Sequence, residues 1–239
     1  MVVTSEPAML TAVKSTAFPP LLRAATNPNR RAIGTWSVGE TAAHVSHSYR
    51  GLLEVLKGTL DIRIDEIDAP NEQVLAEDPE RDLTVLADRV EAGAREYAEH
   101  VASIDPDRLV PFFGDIRLPA SDITATLLAE VLVHGHDIAH AEGLPWAIEP
   151  AHAVVTLEGL IPVLPHFVDE EAAAGLDAVF EIRLRNRAAT NYWSFRDGQL
   201  KIEESAARPI QCHISRPIQC HISAEPVAFP LMSYNGSDR

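Results

Sequence analysis

Glu130 and His134 stand four residues apart in AEVLVHGHDIAHA. On a helix an i, i+4 pair projects from one face, so a carboxylate and an imidazole can converge on one cation. The upstream segment WSVGETAAHVSH offers a third donor, His44, on a second stretch of helical pattern. Three N/O donors with the fourth position open are what a catalytic zinc site uses, whereas a structural site is normally closed by four. The plainer alternative is a solvated glutamate beside a hydrogen-bonded histidine, because E-x-x-x-H is a common spacing. Against it, Glu130 lies inside LLAEVLV, where an unpaired carboxylate is costly and a cation would supply the missing charge.

Neighbouring donors compete for the role. His136 and His140 are also i, i+4, but His136 lies about 200° round the helix from His134 at about 100° per residue, so the two pairs cannot share an ion. Asp137, three residues beyond His134, is spaced to orient an imidazole from behind. His47 follows His44 by one turn, and spacing alone does not separate the two. Cys212-His213 and Cys220-His221 invite a four-ligand zinc reading, yet neighbours on a strand point to opposite faces. Their doubling belongs to a letter-for-letter repeat, RPIQCHIS at 208–215 and again at 216–223. Eight residues are too few for a solenoid unit, so the repeat reads as a local duplication. An even-length insertion leaves the faces of a strand unchanged.

The elements that must position these donors read as helices for roughly the first 145 residues. Glu6 to Ala25 is Ala/Leu-rich, with Pro19-Pro20 expected to kink or interrupt it. Ser37-Val38-Gly39-Glu40 fits a capping box, predicting a helix through His44 to about Gly58. The acidic stretch Asp61 to Glu77 reads as loop. Asp78 followed by Pro79 predicts a helix start, with apolar residues at helical spacing to Ser103. Ser121 or Asp122 can cap a fourth helix that ends near Gly143. Four such helices suggest an antiparallel bundle, whose interior is a usual place for side-chain metal sites. After a linker at 144–150, a fifth helix is expected from Ala151 to about Phe167. The period then changes: Ala178 to Arg185 partly alternates, and Asp197-Gly198 marks a hairpin turn between Tyr192–Phe195 and Leu200–Ile202. The second repeat copy leads into an apolar run that predicts a final short helix. The domains are therefore 1–146, the helical bundle, and 147–239, a linker helix with a small α+β unit.

Composition narrows the function classes. Hydrophobic residues make up 46% and charged residues 23%, as in an ordinary soluble globular protein. A formal net charge of −15 repels phosphate backbones and anionic lipid, which argues against nucleic acid and membranes as partners. An anionic substrate would need a local arginine. Two cysteines do not make a secreted disulfide scaffold, and no signal segment or run of about 18 apolar residues is present, so a cytoplasmic location is expected. The chain lacks a Gly-rich phosphate loop and a G-x-S-x-G elbow.

Two motifs carry a resemblance. Trp36-Ser37-Val38-Gly39-Glu40-Thr41-Ala42-Ala43-His44 resembles the Trp-Ser/Thr-Val…His signature of DinB-like metal-binding helical bundles. Glu130-Val131-Leu132-Val133-His134-Gly135-His136-Asp137 is similar to the E-L-x-V-H-G-x-D segment of the mycothiol-dependent maleylpyruvate isomerase branch. The resemblance implies metal ligands His44, Glu130 and His134, selecting His44 over His47. It also implies zinc, mycothiol as thiol cosubstrate, and a C-terminal sterol-carrier-like α+β domain, which reads as shortened here. Catalysis would be cis-trans isomerisation of a maleylpyruvate-like substrate, or S-transfer to a small electrophile. DinB-like bundles often dimerise, so a homodimer is expected. The rival reading is a non-catalytic metal-binding bundle with a closed coordination sphere, His47 or Asp137 serving as fourth ligand.

Overall fold

The computed structural model of the protein describes residues 17–60, 68–112, 116–184, 190–203 and 220–224. Among them are six α-helices and eight strands in an α+β arrangement. Helix α1 (Phe18–Ala24) begins at the two prolines instead of being broken by them: Pro19 and Pro20 occupy its first turn, where a missing N–H costs nothing. Residues 6–16 of the expected first helix lie outside the described residues. A short hairpin, β1 (Arg31–Ile33) with β2 (Trp36–Ser37), leads into α2 (Val38–Lys57).

The ends of α2 follow from its sequence. Ser37 accepts from the Glu40 amide, Glu40 accepts from the Ser37 amide at 2.8 Å, and Gly58 closes the helix at φ 74°. The stretch read as loop contains a helix, α3 (Asp68–Glu77). The helix α4 (Leu83–Val101) starts later than expected, because Asp82 and not Asp78 is its cap, accepting from the amides of Thr84 and Val85 at 2.8 and 3.1 Å. A second hairpin, β3 (Leu109–Pro111) with β4 (Arg117–Pro119), precedes α5 (Ala120–Glu142). Neither Ser121 nor Asp122 caps α5, which follows straight on from Pro119, but Gly143 ends it at φ 68° as its position suggested.

Helix α2 packs along both α4 and α5, and α1 lies against α4. Tyr49 and Tyr97 cross edge to face at 6.3 Å in the centre of this core. The Tyr97 hydroxyl meets Thr124 Oγ1 at 3.2 Å, which satisfies the one polar atom of a ring that is otherwise fully buried. Helix α6 (Pro150–Leu160) is shorter than expected and is followed by a single 3₁₀ turn, Leu164–Phe167. It rests on α5 and carries the sheet: Val154 and Leu157 pack with Ile182, Phe180 and Trp193.

That sheet contains β5 (Ala178–Leu184), β6 (Thr190–Arg196), β7 (Gln199–Glu203) and β8 (Cys220–Ala224), in the order β7-β6-β5-β8. Asp197 and Gly198 turn β6 into β7 with φ of 52° and 81°, the left-handed pair that a two-residue hairpin requires. Strand β8 is parallel to β5 and is built from the second repeat copy, Phe180 pairing with Cys220 and Ile182 with Ile222. The first copy and the expected final helix lie outside the described residues. Among the described residues no helix is long and apolar enough to cross a membrane.

Candidate metal centre

Helices α2 and α5 bring the predicted donors together. His44 Nε2 lies 2.9 Å from Glu130 Oε2, and His134 Nε2 lies 3.2 Å from the same oxygen. One donor atom from each of the three residues falls within 4.8 Å of the others. Donors of a tetrahedral zinc ion stand roughly 3.3 Å apart, given bonds of about 2.0–2.2 Å. The chemistry and spacing of this N, N, O set therefore fit a divalent transition ion. His134 is buried, and His44 and Glu130 are nearly so, with side chains 13% and 18% exposed.

Electrostatics shift both Glu130 and His134. Burial works against the Glu130 charge, but hydrogen bonds from His134 and His44 outweigh it and keep the carboxyl well below its usual range. Burial likewise opposes a charged His134, and the Asp137 and Glu130 carboxylates overcome it, raising the imidazole to about 9. A proton and a metal ion compete for the same Nε2. His134 Nδ1 stands 3.1 Å from Asp137 Oδ2, so an N–H there donates to Asp137 and leaves Nε2 turned to Glu130. This is the support commonly given to a metal-ligating histidine. Replacing Asp137 with Asn is expected to weaken zinc binding about 10–100-fold while leaving its stoichiometry intact, as competition with a chromogenic chelator would read.

His47 is elsewhere. Its Nε2 bonds Asp78 Oδ2 at 2.9 Å, and Arg89 reaches the same oxygen at 2.6 Å. Burial opposes the charge on Asp78, yet His47, the Glu80 amide and Arg89 together hold the carboxyl down at about 2. Asp78 Oδ1 accepts from the Glu80 amide at 3.2 Å in the turn before α4, while Oδ2 serves a residue 31 positions away. His47 and Asp78 border a cleft of about 430 Å³ between α2 and α4, along with Arg50, Lys57 and Glu96. None of the three clustered donors lines it.

One contributor went unread as such. The Trp36 ring lies 4.9 Å from His44 and 6.3 Å from His134, and covers both imidazoles. Trp36 pairs with Ile33 in the β1–β2 hairpin, and the turn before that hairpin is strapped to the end of α5. Glu142 accepts from the amides of Thr26 and Asn27 at 2.8 and 3.3 Å and pairs with Arg30 at 3.1 Å. The Arg30 guanidinium also donates to the Ala141 carbonyl at 2.8 Å. The signal for Trp36 was its position one residue before the cap of the helix that carries His44.

Fold and site together define an α+β protein whose helical part holds a buried His-Glu-His donor cluster. Residues 24–139 match the family described as the mycothiol maleylpyruvate isomerase N-terminal domain. No curated protein and no solved structure matches the chain.

Proposed function

We propose that the protein is a zinc-dependent enzyme using mycothiol, either to isomerise a maleylpyruvate-like cis alkene or to transfer the whole thiol, through its sulfur, to a small electrophile. The observation that carries this reading is the convergence of His44, Glu130 and His134, with Asp137 behind, in a segment that matches that family. His44 Nε2, a Glu130 oxygen and His134 Nε2 would hold the ion. Zinc there would lower the pKa of a thiol and present it as thiolate at neutral pH. Glu130 supplies the negative charge that offsets the cation, and Asp137 fixes the His134 tautomer. Trp36 shields the imidazoles from water.

In the isomerisation, the thiolate adds to one alkene carbon and the electron pair moves into the conjugated carbonyl. The former double bond rotates as a single bond, and expulsion of the thiolate restores it as trans. Thiol and proton are regenerated, so no oxidant or reductant is consumed. The two donors that would close a structural site are engaged otherwise, His47 by Asp78 and Asp137 by His134, which favours catalysis over the non-catalytic reading. We read α1, α2, α4 and α5 as a DinB-like four-helix bundle, and the sheet with α6 as a sterol-carrier-like domain beginning near residue 147.

The test is thiol-dependent conversion of maleylpyruvate by the full chain, zinc-loaded and after chelation. Conversion is expected with the loaded protein, lost on chelation and restored by zinc. Full thiol-dependent turnover by metal-free protein would sink the proposal.

A further inference from the structure

The helix that carries Glu130 and His134 presents a second pair of imidazoles that the site above leaves unused. His136 and His140 lie one turn apart on α5, with ring centres 6.2 Å apart and ring planes within 14° of parallel. His140 is exposed and His136 half-buried, so solvent and ions reach both. Two imidazoles sharing a tetrahedral ion through bonds of about 2.0–2.1 Å have ring centres roughly 5 Å apart, so a side-chain rotation of about 1 Å closes this pair on an ion. The pair occupies the last turns of α5, just before Gly143. A formal net charge of −15 favours the approach of cations to it.

We infer that His136 and His140 form a second divalent-metal site, independent of the buried cluster and weaker than it. Imidazole donors select zinc, nickel or copper over magnesium and calcium, which require oxygen ligands. Two protein donors leave the remaining positions to water, so the ion exchanges readily. The residues of the pair point away from His134 by more than half a turn, which keeps the two sites from sharing an ion. The chain thus binds more than one metal ion when metal is in excess.

The experiment is calorimetric titration of metal-depleted full-length protein with Ni²⁺, comparing wild type with His140→Ala, His136→Gln and His166→Ala. Wild type is expected to show a tight and a weak class of site. The weak class weakens at least about tenfold in His140→Ala and in His136→Gln, because each removes half of its protein donors. His166→Ala removes another exposed histidine and leaves both classes unchanged. Unaltered thermal melting of the metal-free variants shows that the loss is local. A weak class that persists unchanged in both α5 variants, or its absence from wild type, overturns the inference. Loss of the tight class alone would count against the buried cluster and leave this site standing.

Discussion

Glu130→Ala is expected to empty the metal centre. Purified wild type should carry about one zinc per chain by elemental analysis after weakly bound metal is removed, and the variant close to none. The reason is that Glu130 Oε2 is the atom on which both imidazoles converge, at 2.9 and 3.2 Å, and is the only anionic donor of the three. Without it the ion would keep two neutral donors and its full positive charge in a poorly solvated place. Thiol-dependent turnover should fall by at least about a hundredfold, since even the loss of a group behind a ligand costs metal sites 10–100-fold. Glu130→Gln separates charge from packing. It fills the same volume, lacks the charge, and should also fail to hold zinc. Thermal melting gives an independent readout. A ligand present at a thousand times its Kd stabilises by about 4 kcal/mol, so chelation should lower the melting temperature of wild type and leave both variants where they were. A Glu130→Ala protein that retains stoichiometric zinc would remove the carboxylate from the site.

The parts of this architecture legible in the sequence are those decided within one turn of the chain. The capping box at Ser37 and Glu40, the left-handed glycines at 58 and 143, and the Asp197-Gly198 turn each solve a local hydrogen-bonding or steric problem. What escaped is decided by distant partners. Helix α3 has little apolar pattern, and among its residues described for burial only Leu75 is buried, so nothing local distinguishes it from loop. Asp78 and Asp82 are equally good caps by type. Asp78 gives one oxygen to the Glu80 amide and the other to His47 and Arg89, a division that no short window contains. The same pairing separates His44 from His47: their spacing is equivalent, and only the packing of α5 against α2 puts one beside Glu130 and the other beside Asp78. Both short hairpins lack the alternating run that would announce a strand.

Gly135→Ala is expected to destabilise the protein, although a helix ordinarily gains about 1 kcal/mol from that change. A Cβ at position 135 would lie 2.2 Å from Trp146 Cζ2 and 2.6 Å from Cε2 and Cη2. The indole cannot move away freely. Its Nε1–H donates to the Leu132 carbonyl at 3.1 Å, and its ring meets Phe18 edge to face at 6.3 Å. Accommodating the methyl group therefore means losing that hydrogen bond, worth about 1 kcal/mol, or lifting the indole off the helix, and overpacking of this kind costs about 1–3 kcal/mol. The strain falls between His134 and Asp137, whose 3.1 Å contact orients the imidazole, so zinc affinity should drop together with stability. A double-mutant cycle with Trp146→Ala decides the cause. In that background the methyl group meets no indole, and Gly135→Ala should turn from destabilising to stabilising by up to about 1 kcal/mol in urea denaturation. If the sign stays negative without the tryptophan, the glycine answers to something other than the close approach of Trp146. The glycine of the HGHD segment would then have lost its steric reason.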